Sequence, residues 1–182
     1  MKITYYGHAS LGIEVEGKNI IVDPFITGNP QAAAINLSTI KADYILLTHA
    51  HADHVLDVEA IAQNTKAVIV SNAEIASYYA KKGFNSHPMN HGGSWKFDFG
   101  NVKYVNAIHS SSFPDGSYGG NPGGFVIEGE HKNIYIAGDT ALTFDMKLIP
   151  LRTKLDLVIL PIGNNFTMDV EDAIIASDFV EC

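Results

Sequence analysis

A short segment of the chain concentrates side chains that bind metal ions. Residues 48–54 read Thr-His-Ala-His-Ala-Asp-His, which brings together four potential ligands: His49, His51, Asp53 and His54. Imidazole and carboxylate groups suit zinc and its first-row neighbours, whereas magnesium and calcium sites are built mainly from oxygen. In an extended loop, residues two apart point to the same side, so we expect His49 and His51 to bind one ion together. Asp53 and His54 are adjacent and aimed differently, which leaves them available to a second ion.

Further residues of ligand type stand just beyond predicted strands. Four of them share this position: Asp23 after 19–22, His49 after 44–48, His109 after 102–108 and Asp139 after 133–137. Open α/β sheets assemble their sites in the crevice beyond the strand ends, so one shared site accounts for all four. His109 is expected to complete a three-histidine set with His49 and His51. Two ions about 3.5–4 Å apart need a bridging group, and Asp139 is the candidate.

The elements that must position these ligands follow from the spacing of apolar residues. Period-two runs and short apolar runs predict strands at 3–6, 11–16, 19–22, 44–48, 67–70, 94–99, 102–108, 125–128, 133–137 and 155–160. Helical spacing and capping residues predict helices near 55–62, 72–82, 144–151 and 169–180. Two successive series of strands and helices predict an α/β protein with two sheets sandwiched between helices, folded as one domain over residues 1–182.

Composition narrows the class of protein. The chain has 46% hydrophobic and 18% charged residues, which is typical of a soluble globular domain. We see no signal peptide, and the apolar runs are too short to span a bilayer. The single cysteine, Cys182, excludes an internal disulfide and fits a reducing cytoplasm. With 12 basic against 20 acidic residues and no basic run, nucleic acid is an unfavourable partner, so a small-molecule substrate is expected. The oligomeric state is left open.

The predicted ions indicate hydrolysis. A zinc-bound water has its pKa lowered to about 7, so hydroxide is available at neutral pH to attack an ester, lactone, amide or phosphoester. Asp53 is expected to orient that water and take its proton. His8 and the hydroxyls of 110–112 are expected to contact substrate, and Asp23 to brace the 49–54 loop from behind the ligands. Specificity is expected in the loops 24–37 and 110–122.

These motifs make the chain similar to the metallo-β-lactamase superfamily. The resemblance is carried by Val-Asp-Pro at Asp23, the 48–54 motif, His109 and Gly-Asp-Thr at Asp139, together with Gly-His-Ala-Ser at 7–10 and the glycine-rich stretch 119–124. It lies near a bacterial branch known as metal-dependent hydrolases, close to the ascorbate-phosphate lactonases. The resemblance implies a four-layer αββα sandwich. It also implies His49, His51 and His109 at one metal, and Asp53, His54 and Asp139 at the other.

The sequence departs from the family pattern at its C-terminus. The family has a further histidine after the last strand, at the second metal, whereas here a predicted helix runs to Cys182 with no histidine beyond it. Two interpretations stay open: a shortened version that lacks the last strand, or a second site with only three protein ligands and weaker binding. His8 or His91 is a substitute ligand to consider.

Several alternatives remain. Zinc is the default ion, but sites of nitrogen and oxygen ligands also accept manganese, nickel or iron. A di-iron oxidoreductase on the same scaffold is one rival, although the resemblance places glutamate where His51 stands in those relatives. A non-catalytic metal-binding protein is another. His87, His91 and His131 are interpreted as residues outside the site, His87 and His131 as solvated, and the 119–124 stretch as a tight loop that walls the pocket.

Overall fold

The computed structural model describes all 182 residues and contains two β-sheets. The first sheet has six strands in sequential order: β1 Lys2–Gly7, β2 Ser10–Val15, β3 Lys18–Val22, β4 Tyr44–Leu46, β5 Val68–Asn72 and β6 Ser86–Met89. β1 to β3 pair antiparallel, and β3 to β6 pair parallel. The β2–β3 hairpin turns at Glu16 and Gly17, which both have positive φ (48° and 74°). The strands predicted at 11–16 and 19–22 place this turn one residue later, at Gly17 and Lys18.

The second sheet has five strands in the order β11, β10, β9, β8 and β7. Their bounds are β7 Ser94–Phe97, β8 Gly100–Asn106, β9 Gly123–Glu128, β10 Asn133–Ile136 and β11 Leu157–Ile159. Only the β10–β11 pair is parallel. β11 therefore lies at one edge of this sheet.

Four α-helices cover the sheets: α1 Ala52–Val55, α2 Val58–Thr65, α3 Ala73–Lys81 and α4 Val170–Phe179. Asn72 begins α3 by accepting a hydrogen bond from the backbone N–H of Ile75, and Asp169 begins α4 in the same way through Asp172. Lys66 ends α2 in a left-handed conformation with φ 62°. None of these helices combines the length and the apolar character that crossing a bilayer requires.

Alternation of side chains along the strands builds three hydrophobic layers. Ile20 and Val22 of β3 face the second sheet, and Ile21 faces the helices. The middle layer joins both sheets, one outer layer packs α2 and α3 on the first sheet, and the other packs α4 on the second sheet. The expected αββα sandwich is confirmed.

Two elements differ from the sequence prediction. β6, with the sequence Ser-His-Pro-Met, was not predicted, because it lacks β-branched residues and contains Pro88. It is an edge strand, where a residue without an N–H is tolerated. The helix predicted at 144–151 is a 3₁₀-helix, Phe144–Leu148, and further 3₁₀-helices lie at Pro30–Ala32 and Leu37–Thr39.

Candidate metal centre

Three histidines converge at one end of the sandwich. His49 and His51 lie on the loop between β4 and α1, and His109 follows β8 by three residues. The ring centroids are 4.6 Å apart for His49–His51 and 5.0 Å apart for the two pairs with His109. One nitrogen from each ring lies within 4.8 Å of the other two. Such a spacing places three imidazole nitrogens around one volume, as a single ion requires.

A second group of ligand type lies beside the first. Asp53 and His54 lie on the short helix α1, and their ligand atoms fall within 4.8 Å of a nitrogen of His8. His8 has a left-handed backbone (φ 55°), and its N–H donates to Oε1 of Gln31 at 3.0 Å. Its Nε2 lies 2.9 Å from Oδ2 of Asp53. His8 therefore joins the second group, whereas His91 lies outside it and donates from Nε2 to the Pro122 carbonyl oxygen.

Asp139 lies between the two groups. Its Oδ1 is 3.6 Å from Nε2 of His54, and its Oδ2 is 3.8 Å from Nε2 of His109. Gly138 positions it with φ 65°, and a Cβ at Gly138 would lie 2.6 Å from Cβ of Thr48. One carboxylate oxygen thus faces each histidine group, which is the placement that a bridging ligand needs.

Asp23 organises the ligands from behind. The carboxylate is buried; its Oδ1 accepts from the Thr48 N–H at 2.8 Å, and its Oδ2 accepts from the Thr48 hydroxyl at 2.6 Å. Because that hydroxyl donates its only proton to Asp23, it must accept at 3.0 Å from Nδ1–H of His49. Nδ1–H of His54 also donates to Oδ2 of Asp23, at 2.9 Å. Asp23 thereby holds a proton on Nδ1 of both histidines, so that Nε2 is the nitrogen of each ring left to face the centre.

The buried Nε2 of His54 fits a metal ligand. It has no hydrogen-bond partner, which is unusual for a buried polar atom. Burial alone would lower the pKa of His54, but the charges of Asp23 and Asp139 outweigh it and raise that pKa to about 10. The two carboxylates thus create a position that favours positive charge. Because this charge can be supplied by a proton or by a metal ion, the residues present fit a bound cation.

The charges of the other ligands are set by their surroundings. Burial, and then the neighbouring imidazoles, lowers the pKa of His49 well below its usual range, and burial also lowers that of His51. The hydrogen bond from His8 lowers the pKa of Asp53. Burial would raise the pKa of Asp139, but the approach of His54 lowers it. Neutral imidazoles and ionised carboxylates are the forms that bind metal.

The glycine-rich loop 119–124 supports the ligand loop from outside. The Gly123 N–H and the Tyr104 hydroxyl both donate to the Thr48 carbonyl oxygen, each at 3.0 Å. A Cβ at Gly119 would lie 2.4 Å from Cβ of Ala50, so only glycine fits this contact. The prediction that this loop walls the pocket is wrong, because none of its residues lines the cavity beside the ligands.

A cavity of about 580 Å³ opens beside His8, Asp53 and Asp139. Its other wall is the segment 159–167, which includes Ile162 and Phe166 and which sequence reasoning did not single out. The loops 24–37 and 110–122, in which specificity was predicted, do not line this cavity. Ser110 does reach the ligands, because its hydroxyl lies 3.2 Å from Nε2 of His51.

Two other histidines lie away from the centre. His131 is exposed, with 80% of its side chain accessible, as predicted. His87 was also interpreted as solvated, but it is half-buried against Trp95 and Phe97, and this burial lowers its pKa. Neither belongs to a ligand group.

Two sheets between helices, with histidines and aspartates gathered beyond the strand ends, define the class as an αββα protein with a metal-binding type of site. The sequence model of the beta-lactamase superfamily domain matches residues 2–180. The chain therefore belongs to the β-lactamase superfamily, and it is a metal-dependent hydrolase of that superfamily.

Similar proteins carry the same description. A UPF0173 metal-dependent hydrolase of Flavobacterium johnsoniae is 90% identical over 182 residues, which cover 100% of this chain and 81% of that protein. Another UPF0173 metal-dependent hydrolase, of Exiguobacterium sp., is 50% identical, and the alignment covers 100% of this chain and 82% of that protein. The solved structure of a metallo hydrolase from Ignicoccus hospitalis has a TM-score of 0.87 and 35% identity, covering 98% of this chain and 77% of that one.

Proposed function

We propose that the chain hydrolyses an ester, lactone, amide or phosphoester bond of a small molecule at a centre of one or two zinc ions. His49, His51 and His109 hold one ion. Asp53, His54 and Asp139 face the other, with Asp139 between the two. The observation that carries the proposal is the buried Nε2 of His54, which lacks a hydrogen-bond partner although the ring lies between the carboxylates of Asp23, on the Nδ1 side, and Asp139, on the Nε2 side.

The protein's part in binding is to hold one chosen nitrogen of each ring toward the ion. Through Thr48, Asp23 keeps the proton of His49 on Nδ1, and it directly keeps the proton of His54 on Nδ1. Nε2 is therefore the nitrogen that each ring offers to an ion, which would displace the Nε2 proton of His54 and the 3.0 Å contact between Nε2 of His49 and Nδ1 of His51. A divalent ion bound there supplies Lewis acidity and an ionised water at neutral pH.

Asp53 and His8 handle the proton and the substrate. Oδ2 of Asp53 accepts from Nε2–H of His8 at 2.9 Å, which orients the carboxylate and lowers its pKa. Ionised Asp53 accepts a proton of the attacking water while the oxygen of that water bonds to the electrophilic carbon or phosphorus. The bond from that atom to the leaving oxygen or nitrogen then breaks, and Asp53 returns the proton to the leaving atom. The ring of His8 packs against Phe25 and His54 and remains 40% exposed, so it contacts the substrate from the cavity side.

The charge of the molecule restricts the substrate to small molecules. The net charge is −8, and only 12 of the 182 residues are basic. A nucleic acid would meet repulsion over most of the surface, because phosphate backbones are bound by clusters of lysine and arginine. We therefore place nucleases outside the proposal.

The test measures metal content and turnover together. The purified protein is stripped with a chelator, reloaded with zinc or manganese, and assayed on an ester, a lactone, an amide and a phosphodiester. His109→Ala should lose both the bound ion and turnover. His131→Ala, which removes an exposed histidine, should keep both. If His109→Ala keeps full metal content, the ligand assignment is wrong, and if reloaded protein turns over none of the four, the hydrolytic proposal fails.

A further inference from the structure

The cavity beside the candidate metal centre has a polar end and an apolar end. His8, Asp53 and Asp139 line the polar end. The volume of about 580 Å³ lies within the range of small-molecule sites, roughly 300–1,000 Å³. The reacting part of a substrate must therefore lie at the polar end, and the rest of the molecule at the other.

The rest of the lining, here called the apolar end, includes Asn164 and Thr167 but consists mainly of aliphatic and aromatic side chains. These are Tyr5, Leu11, Ile136, Ile159, Leu160, Pro161, Ile162 and Phe166. Leu11 and Ile136 are buried beneath it, whereas Phe166 is 78% exposed and Ile162 is 59% exposed at its rim. Large apolar side chains exposed around one concave surface mark binding sites. This end of the cavity selects an apolar group.

No lysine or arginine lines the cavity. Carboxylate and phosphate groups of ligands are usually bound by guanidinium or ammonium groups, which this wall does not provide. Asp23, Asp53 and Asp139 contribute three negative charges at the polar end. Two divalent ions would leave a single net positive charge there, and an attacking hydroxide would cancel it. A negatively charged group on the substrate would therefore find no positive charge to pair with.

We propose that the substrate is electrically neutral and carries an aryl or branched alkyl group, which fills the apolar end of the cavity while the labile bond lies beside His8 and Asp53. The inference rests on the proposed function and names its substrate class. Burying an apolar group of phenyl size should favour such a substrate by about 10- to 100-fold over one that lacks the group.

The first experiment compares three methyl esters on zinc-loaded protein. Methyl phenylacetate is neutral and aromatic, methyl acetate lacks the aryl group, and methyl 4-carboxyphenylacetate adds a negative charge. We expect kcat/KM for methyl phenylacetate to exceed both others by at least about 10-fold. A preference for the anionic ester, or equal values for methyl phenylacetate and methyl acetate, would overturn the inference.

Paired variants test whether this cavity is responsible. Phe166→Ala should lower kcat/KM for methyl phenylacetate but not for methyl acetate, whereas Phe144→Ala, equally exposed at 76% but outside the cavity, should change neither. Ile162→Lys should improve the anionic ester, and Ile174→Lys should not, although both isoleucines are 59% exposed. Identical behaviour within each pair would contradict the assignment.

A binding measurement separates this inference from the proposed function. Phenylacetamide and its 4-carboxy derivative are titrated into the zinc-loaded protein and followed by ligand-observed NMR. Stronger binding of phenylacetamide, together with no turnover of any ester, lactone, amide or phosphodiester, would support the cavity's preference while refuting the hydrolytic proposal. Zinc-dependent turnover combined with stronger binding of the anionic amide would support the hydrolytic proposal and refute the preference for a neutral substrate.

Discussion

Replacing Asp23 by asparagine removes the charge that fixes the protons on two candidate ligands. Asp23 has φ 43°, a left-handed conformation that asparagine also adopts readily, so the backbone should be retained. The carboxylate uses both oxygens: Oδ1 accepts from the Thr48 N–H, and Oδ2 accepts from the Thr48 hydroxyl and from His54. An amide has one oxygen, so Asp23→Asn must lose at least one of these bonds.

The size of the effect follows from the bonds lost. A hydrogen bond to a charged group is worth about 1.5–3 kcal/mol. If the amide nitrogen replaces Oδ2, Nδ1 of His54 must accept instead of donate, which keeps the ring proton on Nε2, the nitrogen that an ion beside Asp139 needs. A loss of about 2 kcal/mol corresponds to about 30-fold weaker zinc binding, within the 10–100-fold typical of residues that orient metal ligands.

The assay is a competition titration of zinc against a chromophoric chelator, with the stability of each variant measured in urea. Asp57→Asn is the matched control, because Asp57 is also buried but contacts no candidate ligand. One oxygen of Asp57 accepts from both Ile26 and Thr27, at 2.6 and 2.8 Å, so an amide can keep both bonds. The control should bind zinc with nearly unchanged affinity. Wild-type affinity in Asp23→Asn, or equal weakening in both variants, would refute the reasoning.

Two further predictions concern stability. Zinc at about 100 times its Kd should raise the free energy of unfolding by about 2.7 kcal/mol. This corresponds to a rise in Tm of about 5–11 °C, which EDTA should reverse. An unchanged Tm in differential scanning fluorimetry would contradict a preformed metal site. Gly138→Ala should cost about 1–3 kcal/mol more in urea unfolding than Gly17→Ala. Both glycines have positive φ, but only at Gly138 does the new Cβ meet Thr48, while Gly17 has open space. Equal losses would show that the contact with Thr48 contributes nothing.

The sequence was most informative where the chemistry is local. The 48–54 motif indicates metal ligands from residue types alone, and the short apolar runs of β3 and β4 predict buried strands that deliver Asp23 and His49 to one edge. His109 and Asp139 could be added because each follows a strand, although by three residues rather than the one and two that the predicted strands imply. Loops beyond strand ends gather in one crevice, so this part of the site follows from fold class.

The remaining features depend on tertiary contacts that leave no local pattern. The pairing of His8 with Asp53 joins residues 45 positions apart, and the proton placement on His49 depends on Thr48 and Asp23 together. The cavity wall at 159–167 reads as an ordinary loop rich in glycine, proline and asparagine. That this segment lines the cavity together with His8 is visible only in the folded chain. Apolar side chains in a loop have no periodicity from which their position could be predicted.

The most direct test of the central claim is an anomalous difference map from crystals of the zinc-loaded protein, collected on both sides of the zinc absorption edge. The account predicts a peak between the imidazoles of His49, His51 and His109, and, where a second ion binds, another peak beside His54 and Asp53 with Asp139 between them. Imidazoles turned away from an empty centre, or zinc bound only at surface residues such as His131, would contradict it.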